Sequence, residues 1–114
     1  MVNRMTTLHL SDQIINDVSQ IFGAMGDVSR LKILRALLDS KEPLCQGGVA
    51  EATGLSQANT SKHLVALVRA GLVVREPSGN LVYFKPVTPI VEKACDLVCS
   101  HVTQRIQKAY RSLA

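Results

Sequence analysis

Three side chains in this sequence can act as nucleophiles or soft metal ligands: the thiols of Cys45, Cys95 and Cys99. His101 follows two residues after the last of them and adds an imidazole. Thiolate and imidazole together suit zinc, copper(I) and other soft ions, whereas thiols alone can be oxidised or persulfidated. Cys95 and Cys99 are four residues apart, which puts them on one face of any helix that carries both. Their β-carbons would then stand ~5–6 Å apart, whereas a disulfide wants ~3.8 Å, so a bond between these two is geometrically poor. The C-x-x-x-C spacing also departs from the C-x-x-C of thiol oxidoreductases. A different chemistry is concentrated in SQANTSKH at 56–63. Ser56, Gln57, Asn59, Thr60 and Ser61 donate and accept hydrogen bonds, and Lys62 and His63 reach backbone or base edges one turn later. Gln and Asn suit bidentate pairing with adenine, while Ser and Thr meet bases or phosphates.

Those polar residues need a helix to present them. VAEATGLS at 49–56 reads as a short helix stopped at Gly54, which can take the left-handed conformation that ends a helix. Ser56 then caps a second helix, about 14 residues long by its apolar rhythm. Leu64, Val65, Leu67 and Val68 form its inner side, and Gln57, Asn59, Thr60, Lys62 and His63 fall mostly elsewhere. Helix, glycine turn and capped helix make a helix-turn-helix, whose second helix enters the major groove of DNA. After Gly71, LVVRE and LVYF flank PSGN and read as a hairpin, the wing of a winged helix-turn-helix. Arg75 and the tip 77–80 are placed to touch phosphate or the minor groove. Lys85 reads as a solvated charge. Each polar residue also has a plainer role: Thr60 or Ser61 simply solvated, His63 bracing its helix, Arg30 holding a turn by a salt bridge or touching the DNA backbone.

GDVSRLKILRALL at 26–38, LSQANTSKHLVALVRAGLV at 55–73 and a wing ending in VYF together resemble the ArsR/SmtB family of small dimeric bacterial repressors. The likeness covers nearly the whole chain. It implies a mainly α fold with a small β-hairpin wing, a homodimer formed by the first and last helices, and double-stranded operator DNA as partner. It places Gln57, Asn59, Ser61, Lys62 and His63 at the recognition-helix positions. The family's zinc site on the last helix falls here on Thr88, Ile90, His101 and Gln104. Only His101 keeps a metal-binding side chain, and zinc wants about four N, S or O donors. The family's second site, a C-x-C at the head of the helix-turn-helix, falls on Cys45 and Gly47, with His9 the only donor on the arm.

Both sites are incomplete. A makeshift metal site from Cys45, Cys95, Cys99, His9 or His101 stays open, as does a haem bound by a cysteine and a histidine. Family members with one cysteine at the Cys45 position and one on the last helix answer persulfides or oxidants by linking the two thiols. The resemblance thus implies a thiol switch using Cys45 with Cys95 or Cys99, with a metal-responsive repressor as the alternative and no cofactor required. Cys95 reads equally well as core, beside Ala94 and Val98.

The 114-residue chain fits one domain over 11–114 behind a flexible arm at 1–10. Ser11 caps a first helix with Ile14, Ile15, Val18, Ile21, Phe22 and Met25 at helical spacing. Asp27 caps a second, VSRLKILRALLDS, with Leu31, Ile33, Leu34, Leu37 and Leu38 inward. Gly47 and Gly48 read as loop, so that the next helix begins near Val49. Thr88 and Pro89 form the cap and first turn of a last helix reaching Leu113. A net charge of +4 favours a polyanionic partner. An odd number of cysteines and the lack of any continuous apolar run imply a reduced, cytoplasmic protein without membrane attachment. An enzyme is disfavoured: the sequence has no phosphate-binding glycine loop, no H-E-x-x-H and no nucleophile elbow. A winged helix used only for protein contacts would lack salt-dependent DNA affinity.

Overall fold

The computed structural model describes residues 11–113; the expected arm at 1–10, with His9, lies outside them. Helix α1 (Asp12–Met25) begins where Ser11 Oγ accepts the Ile14 N–H at 3.2 Å. Helix α2 (Val28–Asp39) begins where Asp27 Oδ2 accepts the Arg30 N–H at 3.0 Å. Both caps satisfy donors that a helix start leaves unpaired. Strand β1 (Leu44–Cys45) leads into α3 (Gln46–Thr53), which Gly54 ends at φ +77°, and Ser56 Oγ caps α4 (Gln57–Arg69) at the Asn59 N–H. Strands β2 (Val73–Ser78) and β3 (Leu81–Pro86) form the wing, and α5 (Ile90–Leu113) closes the described chain. None of these helices is long and apolar enough to cross a membrane.

The core is one cluster in which Ile33, Leu34 and Leu37 of α2 meet Val49 of α3, Leu64 and Leu67 of α4, and Phe84 of β3. Val91 and Cys95 of α5 join it. Leu31 was expected inward but is 43% exposed. At ~100° per residue it lies more than ~100° from the centre of the stripe set by Ile33, Leu34 and Leu37, while Arg30 falls close to that centre. Val65 is likewise 47% exposed rather than packed inward.

The sheet has the order β1-β3-β2, all antiparallel. The wing register sets Ser78 opposite Leu81, leaving a two-residue turn of Gly79 and Asn80. Gly79 takes φ +61° at the first central position, which fits a type II′ turn. Two-residue β1, with Leu44 opposite Phe84 and Cys45 opposite Tyr83, has no signal of its own in the sequence.

Two helix starts differ from expectation. Gly47 and Gly48 lie inside α3 rather than in a loop, because the helix begins directly after β1 at Gln46. Cys45 is its N-cap and makes no side-chain capping bond, so the first turn of α3 is both uncapped and glycine-rich. Pro89 precedes α5 instead of opening it; its carbonyl accepts the Lys93 N–H at 2.9 Å. In α5 only Val91 and Cys95 are buried, and every residue from Asp96 to Leu113 is exposed.

Candidate nucleic-acid interface and thiol positions

Ser56, Gln57, Asn59 and Lys62 stand exposed on the first turns of α4, and Ser61 is half-buried. Their position follows from the Gly54 turn and the Ser56 cap, which fix where the helix begins. Gln46 at the start of α3 donates its Nε2–H to Gln57 Oε1 at 3.2 Å. This contact ties the first turns of the two helices together, and the sequence carried no signal for it.

Two members of the polar set do not share this exposure. Thr60 is fully buried and donates its Oγ1–H to the Ser56 carbonyl at 2.8 Å, so it faces the core instead of a groove. Its spacing of four from Ser56 lets the hydroxyl bond back along the helix, which satisfies it locally. His63 is 9% exposed, and its Nδ1 accepts the Arg30 Nε–H at 3.2 Å. The bracing role weighed for His63 is the one this geometry fits. Asp27 Oδ2 lies 3.9 Å from the same nitrogen. The Arg30 backbone N–H, with the Arg30 charge close by, holds the Asp27 carboxyl below its usual range.

On the wing Arg75 is exposed on β2, across from Phe84. Lys85 pairs with Glu76 at 3.0 Å, as a solvated surface charge does. The tip at 77–80 is exposed throughout.

The cysteines occupy three different settings. Cys45 is partly buried between α4 and the wing; Cys95 is buried in the core; Cys99 is exposed. Burial pushes the Cys95 thiol pKa up, with Cys99 adding to the effect. Cys99 opens into one hollow beside α2 and another along α5, and neither shares a lining residue with the one holding Cys45. His101 is exposed on α5. Among the described residues no three His, Cys, Asp or Glu side chains converge as a metal would need. Among the described residues of one chain, Cys45, Cys95, Cys99 and His101 therefore do not form a metal cage.

A family description for bacterial regulatory proteins of the arsR type matches residues 27–74. ArsR2 of Halobacterium salinarum is 33% identical over 76 residues, which cover 67% of this chain and 63% of that protein. The chain thus spans less than two thirds of that relative. A cadmium resistance transcriptional regulatory protein CadC homolog of Staphylococcus aureus is 33% identical over 101 residues, covering 89% of this chain and 74% of the relative. Among solved structures, the homodimeric winged helix-turn-helix DNA-binding domain of Mycobacterium bovis Mb0332 superposes with a TM-score of 0.76 at 25% identity. That superposition covers 86% of this chain and 92% of the other.

Proposed function

Because the chain belongs to the arsR family of bacterial regulatory proteins, we propose that it is a homodimeric repressor that releases operator DNA on a thiol-based signal. The observation that carries the DNA reading is the exposure of Gln57, Asn59 and Lys62 on a helix start capped by Ser56, beside an exposed wing carrying Arg75. Hydrogen-bonding side chains at that end of the helix suit base edges, and Arg75 suits phosphate. The homodimer rests on the apolar residues left exposed on α1 and α5, among them Phe22, Leu97 and Ile106, and on the homodimeric Mycobacterium bovis relative.

The signal reading rests on Cys45. It sits at the uncapped, glycine-rich start of α3, where modification has little helix stability to overcome. Its partner on the last helix is Cys99, the exposed one, since Cys95 is buried. Linking two thiols removes two electrons and two protons, which a polysulfide or peroxide accepts. A link between these separated sites moves α3, and with it Gln46 and Gln57, shifting the population of DNA-competent dimers.

A second reading is favoured by the cadmium resistance named for the Staphylococcus aureus relative. There a soft metal ion is held by thiolates from Cys45, Cys95 or Cys99, with His101, drawn from both subunits.

Fluorescence anisotropy on DNA from the protein's own upstream region separates the two. The reduced, metal-free protein is titrated, then challenged with polysulfide or peroxide and, in parallel, with cadmium or zinc. Release by the sulfur reagent, reversed by a reductant and lost in Cys45→Ser, supports the thiol switch. Release by the metal alone replaces it with the second reading.

A further inference from the structure

Between α4 and the wing lies a half-open cleft of about 760 Å³, within the ~300–1,000 Å³ typical of small-ligand sites. Leu64, Val65 and Val68 line it from the helix, and Leu81, Val82 and Phe84 from β3. Arg69 on the helix and Arg75 on β2 supply its charge, and no acidic residue lines it. Arg69 and Arg75, like most basic side chains of the described residues, have no carboxylate within 4.0 Å.

The place of Arg69 is informative. It lies twelve residues beyond Gln57, roughly 18 Å along the helix axis from the base-reading end. A cation in the last turn complements the helix dipole, but that alone does not call for the face turned toward an apolar cleft opposite a second arginine.

We propose that this cleft binds a small organic anion, its carboxylate held by Arg69 and Arg75 and its apolar body lying against Leu64, Val68 and Phe84. Guanidinium groups match a carboxylate in shape and charge, and the body is shielded from water by the floor. The binding site itself stands apart from the DNA reading, while its consequence rests on that reading. An occupied cleft engages Arg75 and holds the wing against α4, so ligand and operator weaken each other by the same factor.

The test uses 2-naphthoate, a fluorescent aromatic carboxylate, titrated into the full chain kept under a reductant so that thiol chemistry plays no part. Its anisotropy should rise to saturation at one site per chain. Arg69→Gln should weaken binding about tenfold, as loss of one exposed charge-assisted contact implies. Val65→Trp, at a solvent-facing position lining the cleft, should fill the space and abolish binding while circular dichroism shows the fold intact. Uncharged 2-naphthalenemethanol should bind at least about tenfold more weakly than the carboxylate. Absence of saturable binding, full affinity in both variants, or equal affinity for the alcohol would overturn the assignment. These titrations contain no DNA, so a failure of operator binding and a failure of the cleft are read separately.

Discussion

Arg30 and His63, 33 positions apart in the chain, are joined by an Nε–H···Nδ1 hydrogen bond of 3.2 Å between the start of α2 and the middle of α4. An imidazole nitrogen that accepts carries no proton, so in this arrangement any ring proton sits on Nε2. The bond crosses from a helix of the core to the helix expected to read DNA. It therefore sets the rotation of α4 about its own axis, which decides which side chains face outward.

A double-mutant cycle on Arg30→Met and His63→Leu should reveal a coupling of about 1–2 kcal/mol, the range of a part-buried hydrogen bond to a charged donor. Urea denaturation of the four proteins measures it. Additive effects would show that the two side chains merely lie close together.

Gln57→Ala and Asn59→Ala should each lower operator affinity relative to random DNA by about 1–3 kcal/mol and leave the fold unchanged. Thr60→Ala should do the opposite: lower the thermal midpoint while leaving the operator-to-random ratio alone, because its hydroxyl and methyl are buried. Competition anisotropy alongside thermal melts distinguishes the two classes. A specificity loss in Thr60→Ala would mean that α4 is rotated when bound to DNA.

Gly48→Ala should stabilise the protein by about 0.5–1 kcal/mol. A β-carbon there would meet Leu44 Cδ2 at 3.6 Å and Cys45 Sγ at 3.7 Å, ordinary contact distances. If stability fell instead, the head of α3 would be tighter than these distances allow.

Native-state alkylation with iodoacetamide should modify Cys99 well before Cys95. Cys99 is exposed, and Cys95 is both covered and held in its thiol form by burial. Mass spectrometry of the quenched digest gives the order. Equal rates in the folded protein would place Cys95 at the surface.

Much of this architecture was legible because it is written in local chemistry. Ser11, Asp27 and Ser56 cap the helices they were expected to cap, and Gly54 ends α3 in the left-handed conformation. What stayed hidden needed two distant segments at once. β1 exists only because Leu44 and Cys45 meet Phe84 and Tyr83. That pairing starts the next helix early and draws Gly47 and Gly48 into it against their propensity. Thr60 and His63 look like surface residues by type, and both are buried because their polar atoms find partners in Ser56 and Arg30. The Gln46 to Gln57 contact and the paired arginines of the cleft likewise depend on tertiary placement that no spacing rule encodes.

The last helix leaves its chain behind after Cys95, with Leu97, Val98, Ile106 and Leu113 all turned to solvent. A single turn of isolated helix is unstable in water, and even ~12–15 residues are marginal. In the homodimer proposed above, the partner's apolar surface supplies the order of this segment, so that dilution acts as a denaturant. The melting temperature should climb with protein concentration, as it does when folding and association are one equilibrium. A cell making little of such a protein would hold a smaller folded fraction, not just fewer folded molecules.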